Sequence, residues 1–516
     1  MDSVNFPSAS LGQLPDLAAD RHGETPFLSD TPWLTYGKPV STVSDFVAAV
    51  HDYADRLWAA GVRRDDVVAV VKQNHVDIQA LMCAVARLGA LPALLSARMD
   101  VPELMHCIRQ LGSPVVVMDQ FAFDRTAPEH DVLRTVAGRV LTLDQTDAAW
   151  ALFAGEREAH QVDVRDMDEW AVITHSSGTT GVPKLAAHST RSLFEHVAPQ
   201  LEIIKKLGNE GLSAKHLSFV HVRMSAGTLA ALELAMPLLA IADPEPQHVK
   251  SLLLQHRPEG VETHPNVYLR WEPMAADAER PFASVSRFIS TFDAMHPATV
   301  RALLAGSDQP HAMYIQGYGQ TESGPVAARM VTRKDIAAYE TRNVGYAAPG
   351  REMRITGADG EPVPTGEVGS IEVRTPSLMR GYIGGQPTVD GSWLAMGDVG
   401  RLLPDGSLEL LDRVVDYTPE LGSILQKEDV LLGLLPELLE VVLVPCREGG
   451  PTVAVVCPRD GEELDPSRFD GAAREAGLDD VRLLVRTWDE LPMTGSYKVR
   501  RLKLREQLTE QGLVRA

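Results

Sequence analysis

The sequence contains little that is typical of a secreted, disulfide-bonded or membrane-spanning protein. Only four of its 516 residues are cysteines, and they are widely spaced in apolar stretches: Cys83, Cys107, Cys446 and Cys457. This pattern predicts buried core thiols rather than a disulfide framework or a metal site. No apolar run approaches the ~20 residues that cross a bilayer, and the N-terminus lacks the basic and apolar segments of a secretory signal. We therefore expect a cytoplasmic protein that has no membrane partner.

Positive charge is also scarce. The chain has 49 Lys and Arg against 70 Asp and Glu, which gives a formal net charge of −21. This balance argues against nucleic acid or an anionic membrane as the main partner. It is compatible with a small anionic substrate, because a few local donors can form a positive pocket. A chain of this length is too long for one compact core, so two or more domains are expected.

Hydrophobic periodicity predicts alternating strands and helices in the first part of the chain. An amphipathic run over residues 46–58 predicts a helix that begins at a Ser44-Asp45 cap and ends at Gly61. Buried strands are predicted at residues 67–71 and 91–95, with a helix over 76–88 between them. This order is typical of a parallel α/β sheet.

The second part of the chain has a different texture. Glycine and proline punctuate residues 340–412, which favours short antiparallel hairpins, and a mixture of strands and helices follows. The predicted fold is therefore multi-domain α/β. Residues 1–412 form a large domain with mixed and parallel sheets flanked by helices, in which 340–412 are a β-rich subdomain. Residues 413–417 form a hinge, and 418–516 form a small mobile α+β domain.

One segment has the composition of a phosphate-binding loop. It reads HSSGTTGVPK, and its candidate ligand-binding residues are Ser176, Gly178, Thr179, Thr180, Gly181 and Lys184. Glycines allow backbone N–H groups to line a concave loop, hydroxyls add donors, and the lysine adds charge. Val182-Pro183 interrupts the spacing of a Walker A motif. The alternative interpretation is a flexible Ser/Gly/Thr turn, which the apolar strand before it makes the weaker one.

Here the sequence resembles the family of adenylate-forming enzymes, which includes acyl-CoA synthetases, peptide-synthetase adenylation domains and firefly-type luciferases. The resemblance covers nearly the whole chain and rests on five motifs in the family's order. They are Ser176–Lys184, Tyr318-Gly319-Gln320-Thr321-Glu322, Gly397-Asp398, Arg413, and the segment from Pro492 to Lys498, in which Tyr497 stands where glycine is usual. Each residue alone would more often be structural, but the ordered set is specific.

The resemblance implies roles in adenylation, in which a carboxylate attacks the α-phosphate of ATP. Lys184, Thr179 and Thr180 would hold the β- and γ-phosphates, and Thr321 the α-phosphate. Glu322 would bind Mg²⁺, and Lys498 would bridge the attacking carboxylate and the α-phosphate. The remaining nucleotide-binding candidates are Tyr318 and Gly319 at adenine, and Asp398 with Arg413 at the ribose.

Two segments depart from the family pattern. Val415 replaces the charged pivot of the hinge, while Asp416 and Gly422 keep the expected spacing from Arg413. A β-branched valine is stiffer, so we expect the balance between the family's two domain arrangements to differ in this chain. The run Ser290-Thr291-Phe292-Asp293 replaces a Gly/Ala-rich wall, and its bulk is expected to reshape the pocket for ATP or for the acid.

The sequence gives little information about which carboxylic acid is the substrate. His221 stands near the position where amino-acid-activating relatives carry an aspartate, so a plain organic acid is expected rather than an α-amino acid. His221 could equally be a core histidine that is hydrogen-bonded to the backbone. The predicted pocket is mostly apolar. Its candidate residues are His221, Met224, Ala226, Gly227, Thr263, Phe292 and Gly317.

The leading hypothesis is an acid–CoA ligase that uses ATP and Mg²⁺, releases AMP, and forms a thioester with coenzyme A. Two alternatives keep the first step: a ligase that loads a separate carrier protein, and a specialist in one half-reaction. A luciferase-like oxygenase and a non-catalytic nucleotide-binding protein are further alternatives. The sequence leaves open whether the protein is a monomer or a homodimer.

Overall fold

The computed structural model describes most of the chain. The described ranges are 9–33, 38–143, 157–176, 183–207 (backbone only over 202–207), 211–417, 422–446, 450–459, 462–494 and 498–514. Within them, no helix is both long enough and apolar enough to cross a membrane.

Fourteen α-helices lie in the described part of the chain. They are α1 (Leu14–His22), α2 (Val43–Ala59), α3 (Asp77–Arg87), α4 (Val101–Gln110), α5 (Gln120–Arg125), α6 (His130–Val136), α7 (Thr190–Leu207), α8 (Val222–Leu234), α9 (Pro246–His256), α10 (Pro265–Trp271), α11 (Pro297–Gly306), α12 (Ile424–Leu434), α13 (Pro466–Glu475) and α14 (Arg501–Glu510).

The same ranges contain twenty-two strands. They are β1 (Phe27–Ser29), β2 (Val67–Lys72), β3 (Leu91–Ser96), β4 (Val115–Met118), β5 (Arg139–Thr142), β6 (Trp170–His175), β7 (Leu185–Ser189), β8 (Ser213–His216), β9 (Leu238–Ala240), β10 (Gly260–Thr263), β11 (Arg287–Ser290), β12 (Met313–Gln320), β13 (Gly324–Thr332), β14 (Asn343–Ala347), β15 (Glu352–Thr356), β16 (Gly369–Arg374), β17 (Gly381–Tyr382), β18 (Leu394–Leu402), β19 (Leu408–Arg413), β20 (Leu438–Val444), β21 (Thr452–Pro458) and β22 (Val481–Val485).

Among the described residues these strands form three sheets. One has the order β17-β7-β6-β3-β2-β4-β5 and is parallel from β6 to β5. The largest has the order β1-β9-β8-β10-β11-β12-β13-β14-β19-β18-β16-β15. It is parallel from β1 to β12 and antiparallel from β12 onward. The third, β20-β21-β22, lies in the C-terminal part of the chain. The predicted α/β class is therefore confirmed.

Local sequence explains the regular start of the first sheet. β2 and β3 are parallel neighbours joined by α3, as the strand–helix–strand rhythm predicts. The prediction for the start of α2 was wrong by a few residues. The cap is Thr42, whose hydroxyl accepts from the Asp45 N–H while the Asp45 carboxylate accepts from the Thr42 N–H. This capping box satisfies two backbone donors at once, which a Ser44 cap would not.

The hydrophobic clusters lie between the sheets and the helices that pack on them. Apolar side chains of α2 and α3 pack with β2 in one cluster, and those of α9 to α11 pack with β10 to β12 in another. A separate apolar cluster lies between α12, α13 and the C-terminal sheet. Three of the cysteines are buried as predicted, whereas Cys446 is only partly buried.

The parallel strands of the large sheet position the site. The carboxyl ends of β8, β10, β11 and β12 lie side by side, because these strands run in the same direction in adjacent positions. Ligands of open α/β sheets bind outside these ends. The loops that leave β8 and β11 carry His221 and Phe292, and Tyr318 lies near the end of β12.

Candidate active site

Two adjoining cavities open at these strand ends. One has a volume of ≈620 Å³ and the other ≈490 Å³. They share Phe292, Gly317, Tyr318, Gly319, Gln320, Arg413, Val415 and Lys498 in their walls. The larger one collects most of the described candidate residues. Those that line it are Ser176, Lys184, His221, Phe292, Gly317, Tyr318, Gly319, Thr321, Glu322, Arg413 and Lys498.

Other candidates lie elsewhere. Asp398 lines the smaller cavity. Met224, Gly227 and Thr263 line neither of the two, and the Met224 and Thr263 side chains are buried. These three residues therefore lie outside the walls of the two cavities, and their role as pocket residues stays a prediction. Gly178, Thr179, Thr180 and Gly181 lie outside the described residues.

The ends of the glycine-rich segment are fixed to each other. The Ser176 N–H donates to the Lys184 carbonyl at 2.9 Å, and the Lys184 N–H donates to Ser176 Oγ at 3.0 Å. β6 and β7, which precede and follow the segment, are antiparallel neighbours. The Lys184 ammonium lies 5.1 Å from the centre of the Tyr382 ring. A cation is thus presented at the cavity wall beside an aromatic face.

Glu322 is held by a residue from a distant strand. The Tyr382 hydroxyl donates to Glu322 Oε1 at 2.7 Å, and the Glu322 side chain is buried in the cavity wall. Burial and the adjacent carboxylate raise the pKa of the Tyr382 hydroxyl, which stays protonated as a donor. The second carboxylate oxygen has no such partner among the described residues.

A magnesium ion fits this carboxylate. Within the described residues no group of three or more His, Cys, Asp or Glu side chains could hold a metal ion. Mg²⁺ usually binds one or two carboxylates and takes its other oxygens from substrate phosphates and water. A single carboxylate in a cavity wall is therefore compatible with a Mg²⁺ ion that takes its other oxygen ligands from a nucleotide and water.

A hydrogen-bonded chain joins Tyr318, Asp398 and Arg413. The Tyr318 hydroxyl donates to Asp398 Oδ2 at 2.6 Å, and Arg413 Nη1 lies 3.1 Å from Asp398 Oδ1. Burial raises the pKa of Asp398, and the Arg413 cation opposes this shift. β18 and β19 pair Asp398 directly with Arg413. The Tyr318 ring is consequently fixed by its hydroxyl in the walls of both cavities.

Lys498 reaches the cavities from the C-terminal region. Its backbone pairs with Thr494: the Lys498 N–H donates to Thr494 Oγ1 at 3.1 Å, and the Thr494 N–H donates to the Lys498 carbonyl at 2.8 Å. Burial lowers the pKa of Lys498, while the Asp293 and Asp398 carboxylates oppose this shift. A cation that is poorly solvated is well suited to stabilise an anion that enters the cavity.

Ion pairs hold this part of the chain against α4. Arg500 contacts Asp100 at 2.9 Å and Glu103 at 2.5 Å, and Lys503 contacts Asp100 at 2.8 Å. These contacts keep Lys498 at the strand ends in this arrangement.

His221 is the N-cap of α8. Its Nδ1 accepts from the Arg223 N–H at 3.1 Å, so in the neutral ring the proton is on Nε2. Burial and nearby cationic groups lower the pKa of His221 to about 3, which keeps the ring neutral. Nε2 lies 3.4 Å from Thr321 Oγ1. His221 therefore presents a fixed N–H donor beside the predicted α-phosphate contact.

Phe292 occupies a strained position between two histidines. Its φ is +88°, in the left-handed region that favours glycine. The ring centre lies 4.7 Å from that of His221 and 4.4 Å from that of His264. The side chain thus adds bulk to the cavity wall, as predicted for the run Ser290-Thr291-Phe292-Asp293.

The predicted hinge segment, residues 413–417, is partly exposed. Val414 and Val415 are 49% and 48% exposed, and Val415 also lines both cavities. The N–H groups of Asp416 and Tyr417 both donate to the Arg413 carbonyl, which forms a tight turn. Gly422 has a φ of +66°, which a residue with a side chain adopts at a cost.

Sequence reasoning missed several polar residues of this site. Tyr382, Arg223 and His196 line the larger cavity, although none belongs to a motif. Arg223 follows His221 by two residues, and its charge at the start of a helix that has no other charged residue before Glu233 is a signal that could have identified it. Tyr382 gave no such signal, because it lies 60 residues from Glu322.

Comparison with known proteins gives consistent matches over the whole chain. The AMP-binding enzyme family matches residues 16–383. The chain is 35% identical to 3-amino-2-hydroxy-4-methoxybenzoate diazotase of Streptomyces cremeus, over 98% of this chain and 97% of that protein. It is 29% identical to feruloyl-CoA synthase of an Amycolatopsis species, over 98% of each. The fold matches an anthranilate CoA ligase in complex with anthranoyl-AMP, with a TM-score of 0.80 at 17% identity over 98% and 99% of the two chains.

Proposed function

This chain belongs to the AMP-binding enzyme family, and on that premise we propose that it performs the ATP-dependent, AMP-forming activation of a small aromatic acid. One observation carries the proposal. Lys498, the adjacent pair Thr321 and Glu322, and Lys184 come from three separate segments of the chain and line the same ≈620 Å³ cavity. A polyphosphate and an oxyanion repel each other, and a cavity lined by cations and hydrogen-bond donors would offset that repulsion.

The proposed first step is an in-line displacement at phosphorus. A carboxylate oxygen attacks the α-phosphorus of ATP, the bond to the bridging oxygen breaks, and pyrophosphate leaves. Lys498 would contact the attacking oxygen and the α-phosphate together. Thr321 and the Nε2–H of His221 would donate to oxygens at the same place, and Lys184 would neutralise the departing phosphates. Glu322 would hold Mg²⁺, which supplies charge neutralisation when it is bound.

The proposed second step transfers the activated acyl group to coenzyme A. The thiolate sulfur attacks the acyl carbon, a C–S bond forms, and AMP leaves with the electron pair of the broken C–O bond. The similarity to feruloyl-CoA synthase supports this acceptor. A separate carrier protein bearing the same thiol is an alternative acceptor for the same adenylate.

The 35% identity to a diazotase over nearly the full length favours a second candidate function. Nitrite, like a carboxylate, is a small oxyanion that could attack the α-phosphorus and displace pyrophosphate. The nitrogen of an aromatic amine would then attack the nitrite-derived nitrogen, and AMP would leave. Loss of water from the resulting N–nitroso group would give the diazo group. This candidate makes nitrite the adenylated group, while the aromatic acid supplies the amine.

An exchange assay tests the shared first step. The enzyme, ATP, Mg²⁺ and labelled pyrophosphate are incubated with a panel of aromatic acids, or with nitrite. We expect exchange that depends on the oxyanion and falls at least about a hundredfold in Lys498→Ala. The exposed Lys334 provides the control variant Lys334→Ala, which should exchange like the wild type. Absence of exchange with every oxyanion, although ATP binds, would contradict the proposal.

The acceptor is identified with the same enzyme. Thioester formed from CoA, an acid and ATP supports the CoA ligase. A diazo product that requires nitrite together with an aminobenzoate supports the second candidate. The two products are distinguished by mass, because the first retains the whole CoA moiety.

A further inference from the structure

A buried cluster of three charged side chains lies behind His221. Arg223 of α8 donates through Nε and Nη2 to the two carboxylate oxygens of Glu262 at 2.7 and 2.9 Å. Lys215 of β8 donates to Glu262 Oε2 at 2.9 Å. All three side chains are buried, and Glu262 is fully enclosed. The cluster thus places two cationic groups around one anion.

The unused hydrogen-bonding capacity of this cluster consists of N–H groups. Both oxygens of Glu262 are occupied, so they are poorly placed to receive an amine. Arg223 Nη2 also donates to Gln200 Oε1 at 2.6 Å, whereas Arg223 Nη1 has no partner among the described residues. A buried N–H that lacks a partner is costly. The cluster is therefore complementary to an additional oxygen acceptor.

Arg223 is also in the right place for such a contact. It lines the larger cavity together with His221, Phe292 and Thr321. Two other residues that line this cavity, His196 and Thr291, also carry buried polar atoms without partners in the described part of the structure, His196 Nε2 and Thr291 Oγ1. These polar groups line the cavity together with apolar residues such as Val222 and Met396.

We propose that Arg223, oriented by Glu262 and Lys215, recognises an oxygen acceptor group of the aromatic substrate other than the oxyanion that is adenylated. Such a group is a ring hydroxyl, a phenolate or a second carboxylate. If nitrite is the adenylated group, it is the carboxylate of the aromatic amine. The inference rests on the proposed function only in taking this cavity as the substrate site.

A purely structural role is the competing explanation. The cluster joins α8 to β8 and β10, and ion pairs of this kind can fix a helix on a sheet. A structural cluster would change stability when it is mutated but would not discriminate between ligands. The test therefore compares ligands rather than absolute affinities.

The experiment measures binding by calorimetry, without ATP, to the full-length protein. The probes are benzoate, the three hydroxybenzoates, and isophthalate, and the readout is the ratio of the benzoate Kd to the Kd of the best difunctional acid. We expect a ratio of about ten to a hundred in the wild type, the range of one charge-assisted hydrogen bond. In Arg223→Gln the ratio should fall to about two or less.

Two further variants keep the result interpretable. Arg56→Gln removes an arginine from another buried ion pair, with Asp52 in α2, and lines neither cavity. It should keep the wild-type ratio. If Arg223→Gln does not fold, as judged by thermal melting, Arg223→Lys retains the charge without the second N–H and should show an intermediate ratio.

The outcomes separate the inference from the proposed function. A wild-type ratio near one, or a ratio that is unchanged in Arg223→Gln or Arg223→Lys, would overturn the inference. The protein could also discriminate between benzoate and the difunctional acids through Arg223 and yet give no pyrophosphate exchange. That result would support the inference and contradict the proposed function.

Discussion

Arg342 and Asp429 form a bidentate ion pair between the β-rich region and α12. Arg342 Nε and Nη2 donate to the two carboxylate oxygens of Asp429 at 2.6 and 2.8 Å. The arginine is 9% exposed, and both residues line the smaller cavity. A shielded, two-point contact of this kind fixes orientation as well as distance. It therefore helps to keep α12, and with it the C-terminal region that carries Lys498, in the present arrangement.

Removing this pair should slow adenylation. We expect Arg342→Gln to reduce the rate of pyrophosphate exchange by about tenfold, because Lys498 would spend less time at the strand ends. Exchange rates and melting temperatures should be measured together. Arg401→Gln is the matched control, since Arg401 pairs with Glu409 inside one hairpin. Exchange at the wild-type rate in Arg342→Gln would show that the pair does not hold the arrangement that reacts.

The contact between Tyr382 and Glu322 makes a prediction about magnesium. Tyr382→Phe removes the hydroxyl that donates to Glu322 and leaves the ring beside Lys184. Groups that orient a metal ligand typically contribute about tenfold to metal affinity. We therefore expect the Mg²⁺ concentration at half-maximal exchange to rise about tenfold. A magnesium titration at saturating ATP measures it.

The control for that substitution is Tyr346→Phe. Tyr346 is exposed, and its hydroxyl donates to Asp405, away from both cavities. Tyr346→Phe therefore loses a hydroxyl–carboxylate hydrogen bond, as Tyr382→Phe does. Equal magnesium requirements in the two variants would argue against Glu322 as the metal ligand.

The parts of the fold that follow from local sequence were predictable. Short apolar runs specify β2 and β3, and hydrophobic periodicity that ends at Gly89 specifies α3; the predicted and observed ranges agree within one residue at each end. The motif residues Tyr318 to Glu322 could be placed at a common site because they follow one another at the end of β12. Their roles in catalysis stay predictions.

What could not be predicted depends on contacts between distant residues. Arg223 meets Glu262 across 39 positions, and Tyr382 meets Glu322 across 60. Neither pair has a characteristic spacing, because each is formed by the packing of separate elements. The predicted pocket residues Met224 and Gly227 line neither cavity. The direction that each side chain of α8 faces is set by its packing against α7 and the sheet.

Phe292 offers a direct test of the cavity shape. Phe292→Gly removes the ring that contacts His221 and His264 and replaces a strained residue at φ +88° with one that adopts this conformation freely. We expect kcat/KM to fall for the best small aromatic acid and to rise about tenfold for a bulkier bicyclic acid. Exchange assays over a series of acids of increasing width measure this shift.

A second variant separates size from strain. Phe292→Leu keeps an apolar side chain and the strained backbone, so it should resemble the wild type in substrate preference more than Phe292→Gly does. If both variants keep the wild-type order of substrates, the ring does not set the width of the acid site.

Glu440 of β20 lines the smaller cavity and has a raised pKa. Burial raises the pKa of Glu440 to about 8, and the nearby Glu428 and Asp293 carboxylates add to this shift, while Arg501 opposes it. All four residues line the smaller cavity. In the unfolded chain a glutamate titrates near pH ~4.3. The folded protein therefore keeps a proton on Glu440 at pH values where the unfolded chain has lost it.

The free energy of unfolding should consequently fall as the pH rises from about 4.3, the ordinary glutamate pKa, to the raised pKa of about 8. Over this range the unfolded state is stabilised by ionisation of the glutamate, whereas the folded state resists that ionisation. Glu440→Gln mimics the protonated side chain and removes this loss. We expect its melting temperature to match the wild type below pH ~4, where the glutamate is protonated in both states, and to exceed it increasingly up to pH 8. Glu361→Gln, at an exposed turn, should show no such trend. A constant difference between Glu440→Gln and the wild type across this range would mean that Glu440 is already ionised in the folded protein at pH 5.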